Sequence, residues 1–297
     1  MGKLISIFTF FFIFTSCNEI EETTNHLDQI KYGTSFGFCV GYCQKNIEIS
    51  NSEIIYTKYS RFEKDQYPSI QKSQNLSTED WEQITETFDF DIFSNLKESY
   101  GCPDCTDGGA EWIEIKHKGK VHHVTFEYGN EPEVLKKYLS LLRSHFSKIS
   151  KEYTFNESLE AWNQLKVING TSYKYTTEFV SWGDFGNRTE ITVTNGVVTT
   201  RKYEEFLTEN ATIKPLLISY TETGDALGTH ANGAPVKTLD ALYDICVGDY
   251  LTVDVEENYI SFYTNNLGIL NSCGYVPKYC ADDCFRGIGI VDFEWIR

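Results

Sequence analysis

The chain has 297 residues, a formal net charge of −17 at pH 7, 41% hydrophobic residues and an aromatic content of 15%. This composition supplies packed cores and excludes a wholly disordered chain. The acidic balance, with no basic run longer than Lys136-Lys137 or Arg201-Lys202, excludes nucleic acid as a partner, because phosphate binding rests on clustered Lys and Arg. At about 100–200 residues per domain, the length predicts two domains.

The chain opens with one cation, Lys3, followed by Leu4 to Phe14, which is apolar apart from Ser6 and Thr9. The run has signal-peptide length and falls short of the roughly 20 apolar residues that a transmembrane helix needs. It closes with Phe14-Thr15-Ser16-Cys17, which resembles the lipobox of bacterial lipoproteins, with Phe14 where that motif usually has Leu. The resemblance implies a lipoprotein signal peptide over residues 1–17, ending at a lipidated Cys17; the alternatives are an ordinary cleaved signal or a buried N-terminal strand with an incidental cysteine. The protein is then expected in the cell envelope, as an outer-membrane lipoprotein facing the periplasm or the cell surface. Its membrane partner is reached through the N-terminal lipid, since the acidic body has no affinity of its own for anionic lipid. Residues 18–29 read as a tether, and Glu19, Glu21 and Glu22 in it are similar to surface-routing signals of some lipoproteins and equally to a solvated linker.

Eight cysteines remain, four in each half: Cys39, Cys43, Cys102 and Cys105, then Cys246, Cys273, Cys280 and Cys284. In an oxidising compartment an even count predicts disulfides. The expected bonds stay within each set, with Cys39 and Cys43 engaging Cys102 and Cys105. The same first set has the two-pair form of a tetrahedral zinc site. The Cys102-Pro-Asp-Cys105 spacing is also that of redox centres, which want a helix start beside a strand rather than a Gly- and Asp-rich loop.

In chain order, Ile47-Glu48-Ile49 and Glu53 to Tyr59 alternate about Asn51-Ser52 and predict a hairpin. Ser77 with Asp80 three residues on predicts a helix start, with Trp81, Ile84 and Phe88 on one face; a short helix over Asp91–Glu98 follows. Beyond the loop Gly101–Gly109, Glu111–His117 and Lys120–Phe126 form a second hairpin about Lys118-Gly119. An amphipathic helix is predicted over Pro132–Phe146. The order Phe36-Gly37-Phe38-Cys39 through Tyr42-Cys43, hairpin, Trp81 helix, Tyr100, Cys102–Gly109 loop and Glu111–Ile115 strand resembles a family of bacterial envelope proteins catalogued as domain of unknown function 6438.

The second half opens with a helix starting at Asn156 and carrying Leu159, Trp162 and Leu165 on one stripe. Ser172–Phe179 and Thr189–Thr194 alternate as strands, and Asn195-Gly196 predicts a tight hairpin into Val197–Thr199. Thr238 caps a further helix, and strands are expected at Leu251–Val255, Asn258–Tyr263 and Ile288–Trp295. This order resembles a second uncharacterised bacterial family, domain of unknown function 6174, from which residues 203–236 and Gly268-Ile269-Leu270 depart. The predicted class is α+β, two small domains at 30–149 and 150–297, each an antiparallel sheet packed with a few helices. Phe146–Phe155 is the expected polar join between them.

No Gly-x-Ser-x-Gly elbow, His-Glu-x-x-His helix, phosphate-cradling Gly loop or EF-hand spacing occurs in the chain. His122 and His123 are neighbours on a strand and must face opposite sides, so a metal would see only one of them; with His117 they could contribute to a zinc site, and exposed or half-buried sheet histidines are the other reading. Calcium, which takes oxygen donors in irregular loops, could use Asp104, Asp107 and Glu111, or Asp282 with Asp283. No cofactor is expected. Two function classes follow: a non-catalytic binding or structural module, with a protein or small-ligand partner, and an envelope hydrolase using paired carboxylates.

Overall fold

The computed structural model describes residues 27–86, 88–181, 185–208, 215–255, 257–281 and 284–296. The signal peptide, Cys17, the tether up to residue 26, and Asp282 with Asp283 lie outside the described residues. The architecture is α+β, with two seven-stranded sheets rich in antiparallel pairs and a few helices.

The first sheet contains β1 (Leu27–Ser35), β2 (Gln44–Ile49), β3 (Glu53–Tyr59), β4 (Ile70–Asn75), β5 (Ser99–Tyr100), β6 (Ala110–His117) and β7 (Lys120–Glu127), in the order β4-β3-β2-β1-β6-β7-β5. Residues 27–29, expected in the tether, are the first residues of the central strand. β4 occupies a stretch too polar to read as a strand. Period-2 alternation puts every second residue inward, and register lines these up as rows. Ile54, Ile49, Ile30 and Ile115 pair across the sheet, as do Tyr56, Ile47, Tyr32, Ile113 and Val124. All nine are at most 2% exposed, each contributing about 1.5–3 kcal/mol of burial. A one-residue slip would turn every row to solvent, so the register is strongly fixed.

α1 (Thr78–Glu86) and α2 (Phe90–Ser94) cover this face. The Ser77 hydroxyl accepts the Asp80 N–H at 3.1 Å, the cap read from sequence, and donates to the Asp80 carboxylate at 2.6 Å, so the carboxylate meets the hydroxyl rather than the Ser77 N–H. Trp81, Ile84 and Phe88 are buried as expected. α2 is shorter than predicted because Asp89 caps it and the chain turns at Asn95.

The second sheet contains β8 (Tyr173–Val180), β9 (Phe185–Thr194), β10 (Val197–Leu207), β11 (Leu216–Thr223), β12 (Asn258–Thr264), β13 (Leu270–Pro277) and β14 (Arg286–Trp295), ordered β11-β10-β9-β8-β14-β13-β12. Both sheets place their first strand fourth in order, run the next three outward as a meander, and send the chain through helix before the last three strands fill the other side. Asn195 and Gly196, with φ of 50° and 78°, make the hairpin turn that Asn-Gly predicts. Thr238 caps α4 (Leu239–Ile245) by accepting the Ala241 N–H. The predicted strand over Leu251–Val255 is absent: α4 runs into a π-helical turn, Cys246–Tyr250, in which the Leu251 N–H reaches back to the Cys246 carbonyl.

The largest departure is α3. Residues expected to form two helices about a polar join make one helix, Lys136–Asn169, about 51 Å long at 1.5 Å per residue. Its first half sends Tyr138, Leu139, Leu142 and Ile149 into the first core, and its second half sends Phe155 and Trp162 into the second. At 3.6 residues per turn these two stripes lie roughly 150° apart on the helix. Residues 146–155 look polar in sequence because the apolar stripe changes sides there, not because the helix stops. Among the described residues no helix is long and apolar enough to cross a membrane.

The disulfides correct the expected pairing. Cys39 bonds Cys43 and Cys102 bonds Cys105, while Cys246 bonds Cys273 and Cys280 bonds Cys284. Every bond stays within its set, but the two short-spaced pairs of the first half each close their own turn instead of bridging. The two loops still meet through the Gly37 N–H, which donates to Asp104 at 2.9 Å. Only Cys246–Cys273, with both cysteines fully buried, spans 27 residues, worth about 3.5 kcal/mol in the chain-entropy account.

Candidate functional site

Because α3 has a core on either side, the middle of the helix borders a crevice between the first sheet's helical layer and the turn after α4. Lys148, Lys151, Glu152, Phe155 and Asn156 of α3 form one wall; Val247, Leu251, Thr252, Val255 and Ile260 form the other. This end of the crevice has a volume of about 250 Å³. It is continuous through Lys148, Glu152 and Val255 with a wider, more polar end of about 540 Å³ that reaches Ile54, Leu76, Asp80 and His145.

Lys148, Lys151 and Phe155 are spaced 3 and 4 apart and so share one face of α3. That face continues as Leu159 and Trp162, which pack in the second core. The two lysines thus occupy positions where the stripe would carry apolar residues. Among the described residues neither amine has an ion pair or hydrogen bond. Burial pushes the Lys151 ammonium below its ordinary value, with no charged neighbour acting on it. In the wide end burial also lowers the imidazole of His145, with Asp80 opposing and Lys148 assisting. At the mouth Val247 and Val255 are 46% and 36% exposed. The arrangement offers an apolar slot with cationic groups at its rim, the mix of apolar wall and few polar groups typical of ligand sites.

The residues singled out from sequence lie elsewhere. Asp104 ties its disulfide loop to the Cys39–Cys43 loop by accepting from the Gly37 N–H, and Asp107 sits in left-handed backbone, φ 62°. The Glu111 carboxylate turns into the sheet face: 2% exposed, it accepts from Tyr32 at 2.5 Å, from the Gly129 N–H at 3.0 Å and from two nitrogens of Arg143 at 2.9 Å. Asp104, Asp107 and Glu111 therefore do not converge on a calcium ion; among the described residues no three His, Cys, Asp or Glu side chains are placed to hold a metal. His122 and His123 do face opposite sides, one against Phe93 and the Leu96 carbonyl, the other stacked on Trp112.

A second polar cluster was invisible from sequence. Arg201 and Glu222, both at most 3% exposed, form a two-pronged pair at 2.6 and 3.0 Å. Glu222 also accepts from the Gly228 and His230 N–H groups, while Arg201 donates to the His230 and Ala234 carbonyls. Their common effect is to fold residues 224–236 over β10 and β11, with His230 stacked on Tyr220 and Tyr220 on Tyr203. Hydrogen bonding by Arg201 holds the Glu222 carboxyl far below the usual range. Every strong acceptor and donor here is satisfied internally, which is the signature of a structural network rather than a reacting site.

Lys148 and Lys151 could have been found in the sequence only by noticing that they lead directly into the Phe155–Leu159–Trp162 stripe. That signal depends on knowing that the helix does not break. In comparison with known proteins, no protein-family model matches the chain and no curated protein is similar to it. The fold and crevice define a two-sheet α+β protein with a shared helical spine and one apolar, cation-rimmed slot beside it.

Proposed function

We propose that this is a lipid-anchored, non-catalytic cell-envelope protein that binds a small ligand in the crevice beside α3. The observation that carries the binding reading is the slot of about 250 Å³ with unpaired lysines on its rim. The anchor rests on Phe14-Thr15-Ser16-Cys17, and places the protein on the outer membrane, facing the periplasm or the cell surface. The resemblance to domains of unknown function 6438 and 6174 rests on motif order alone and brings no activity with it.

The hydrolase reading has less support. A glycosidase-type general acid needs a carboxyl raised toward neutral pH, whereas the perturbed carboxyls Glu131 and Glu222 are both pushed down. Where Glu152, Glu157 and Glu160 line a groove on α3, Glu157 is occupied by Lys58 and the Tyr153 hydroxyl, both at 2.6 Å.

Two measurements test the proposal. Cys17→Ser should move the protein from the membrane fraction to the soluble one; continued membrane association refutes the anchor. The neutral dye N-phenyl-1-naphthylamine should brighten on binding the soluble full chain and lose that signal in Val255→Trp, which fills the slot. An unchanged signal in that variant refutes the crevice as the binding site.

A further inference from the structure

We propose that the ligand of this crevice is a single-chain amphiphile with an anionic head, its chain lying between Phe155 and Leu251 and its head held by Lys148 and Lys151. The inference rests on the binding reading above and adds the chemistry of the ligand to it.

The slot's walls set the body of the ligand. Phe155, Val247, Leu251, Val255 and Ile260 supply apolar surface, with no buried hydrogen-bonding side chain among them. At the roughly 30 Å³ that a water-sized group occupies, a volume of about 250 Å³ takes about eight carbons, and the wide end of about 540 Å³ that shares its Lys148, Glu152 and Val255 lining takes the remainder of a decyl chain or of an aromatic dye. Val247 and Val255 are partly exposed, so the apolar wall is open to solvent on their side.

The rim sets the head. In a chain of net charge −17, Lys148 and Lys151 stand about one turn apart on one face of α3 without an ion pair among the described residues; exposed lysines such as Lys64 and Lys118 also have none, but Lys151 is half-buried where it lacks a partner. Partial burial of Lys151 without a partner is a cost to the protein alone, and an anionic group arriving at the rim would remove it through charge-assisted hydrogen bonds. Glu152 stands on the same wall and disfavours a head with further negative charge deeper in the crevice. A carboxylate and a phosphate monoester share the required chemistry, corresponding to a free fatty acid or to the headgroup of a lysophospholipid.

The test uses the full chain carrying Cys17→Ser, stripped of bound lipid and kept free of detergent, titrated calorimetrically with decanoate, decyl phosphate, 1-decanol and decyltrimethylammonium. Decanoate or decyl phosphate should bind about tenfold or more tighter than 1-decanol, and the cationic amphiphile more weakly still. Lys148→Met with Lys151→Met should abolish that preference while leaving 1-decanol within about twofold, and the melting temperature should show the variant folded. Whichever anion binds tighter distinguishes a fatty acid from a lipid phosphate. Equal binding of 1-decanol and both anions would overturn the anionic head yet leave a binding slot in place. Absence of binding by all four, together with an unresponsive dye, would remove the binding reading itself.

Discussion

Removing Arg143 tests whether the buried ionic network fastens α3 to the first sheet. The Arg143 side chain, 31% exposed, bonds Glu111 at 2% exposure and Glu131 at 10%, through three contacts of 2.8 to 2.9 Å. In Arg143→Met the shape of the stem is preserved, but Glu111 is left charged and out of water, with only the Tyr32 hydroxyl and the Gly129 N–H still donating. Stranding one member of a buried pair costs about 3–5 kcal/mol, and the two surviving donors put this case near the lower end, ~3 kcal/mol. For a unit of this size that is a fall of roughly 10 °C in melting temperature. Urea unfolding followed by near-ultraviolet circular dichroism would measure it, with Glu111→Gln in the same background as the control. Glutamine keeps an acceptor for Tyr32 but removes the stranded charge, so the double variant should recover at least ~1.5 kcal/mol relative to additivity. A single-variant loss below ~1 kcal/mol, or strictly additive losses, would mean that the network contributes nothing to holding the helix.

Acid should weaken the protein through Glu131 and Glu222. Arg143 in one case and Arg201 in the other hold these carboxyls below their ordinary value of 4.5, so the unfolded chain binds more protons in acid. Their stabilisation is complete above about pH 4.5 and drains as pH falls through the lower folded values; faster exchange of the Gly228 and His230 amides at pH 3 than simple intrinsic rates allow would report it, and Glu222→Gln should flatten the response. Tyr138, whose hydroxyl is buried with no hydrogen-bond partner among the described residues, should tolerate Phe: thermal melting of Tyr138→Phe is expected to match the parent or exceed it by ~1 kcal/mol, and a loss of more than 1 kcal/mol would show that the hydroxyl has a partner. Cutting the chain at 149/150 divides α3 but leaves each core its own main stripe, so both pieces should melt cooperatively under oxidising conditions. The first should be about 2 kcal/mol less stable than a piece ending at 161, which retains Tyr153 against Tyr56 and Glu157 against Lys58, and equal stability would show that the second half of the helix adds nothing.

The chain's local punctuation was legible before folding. Ser77 and Thr238 cap helices because a hydroxyl need reach only three residues ahead, and Asn195-Gly196 turns a hairpin because its two residues tolerate positive φ. The alternation of Glu111–His117 and Lys120–Phe126 likewise needs nothing beyond the strand itself to declare an inner and an outer face, and the α+β class followed from such pieces. What tertiary structure alone decided is the choice between near and distant partners. Cys39 and Cys102 chose neighbours over each other, β4 became a strand because β3 offered it an edge, and Glu111 met Arg143 rather than a metal. The continuity of α3 through residues 146–155 is the clearest case. A helix buried on one side shows one stripe, but a helix between two cores shows two, and at their crossover the pattern reads as polar although every turn is packed. The crevice lies at that crossover, where Lys148 and Lys151 stand on an apolar face that only the second sheet defines.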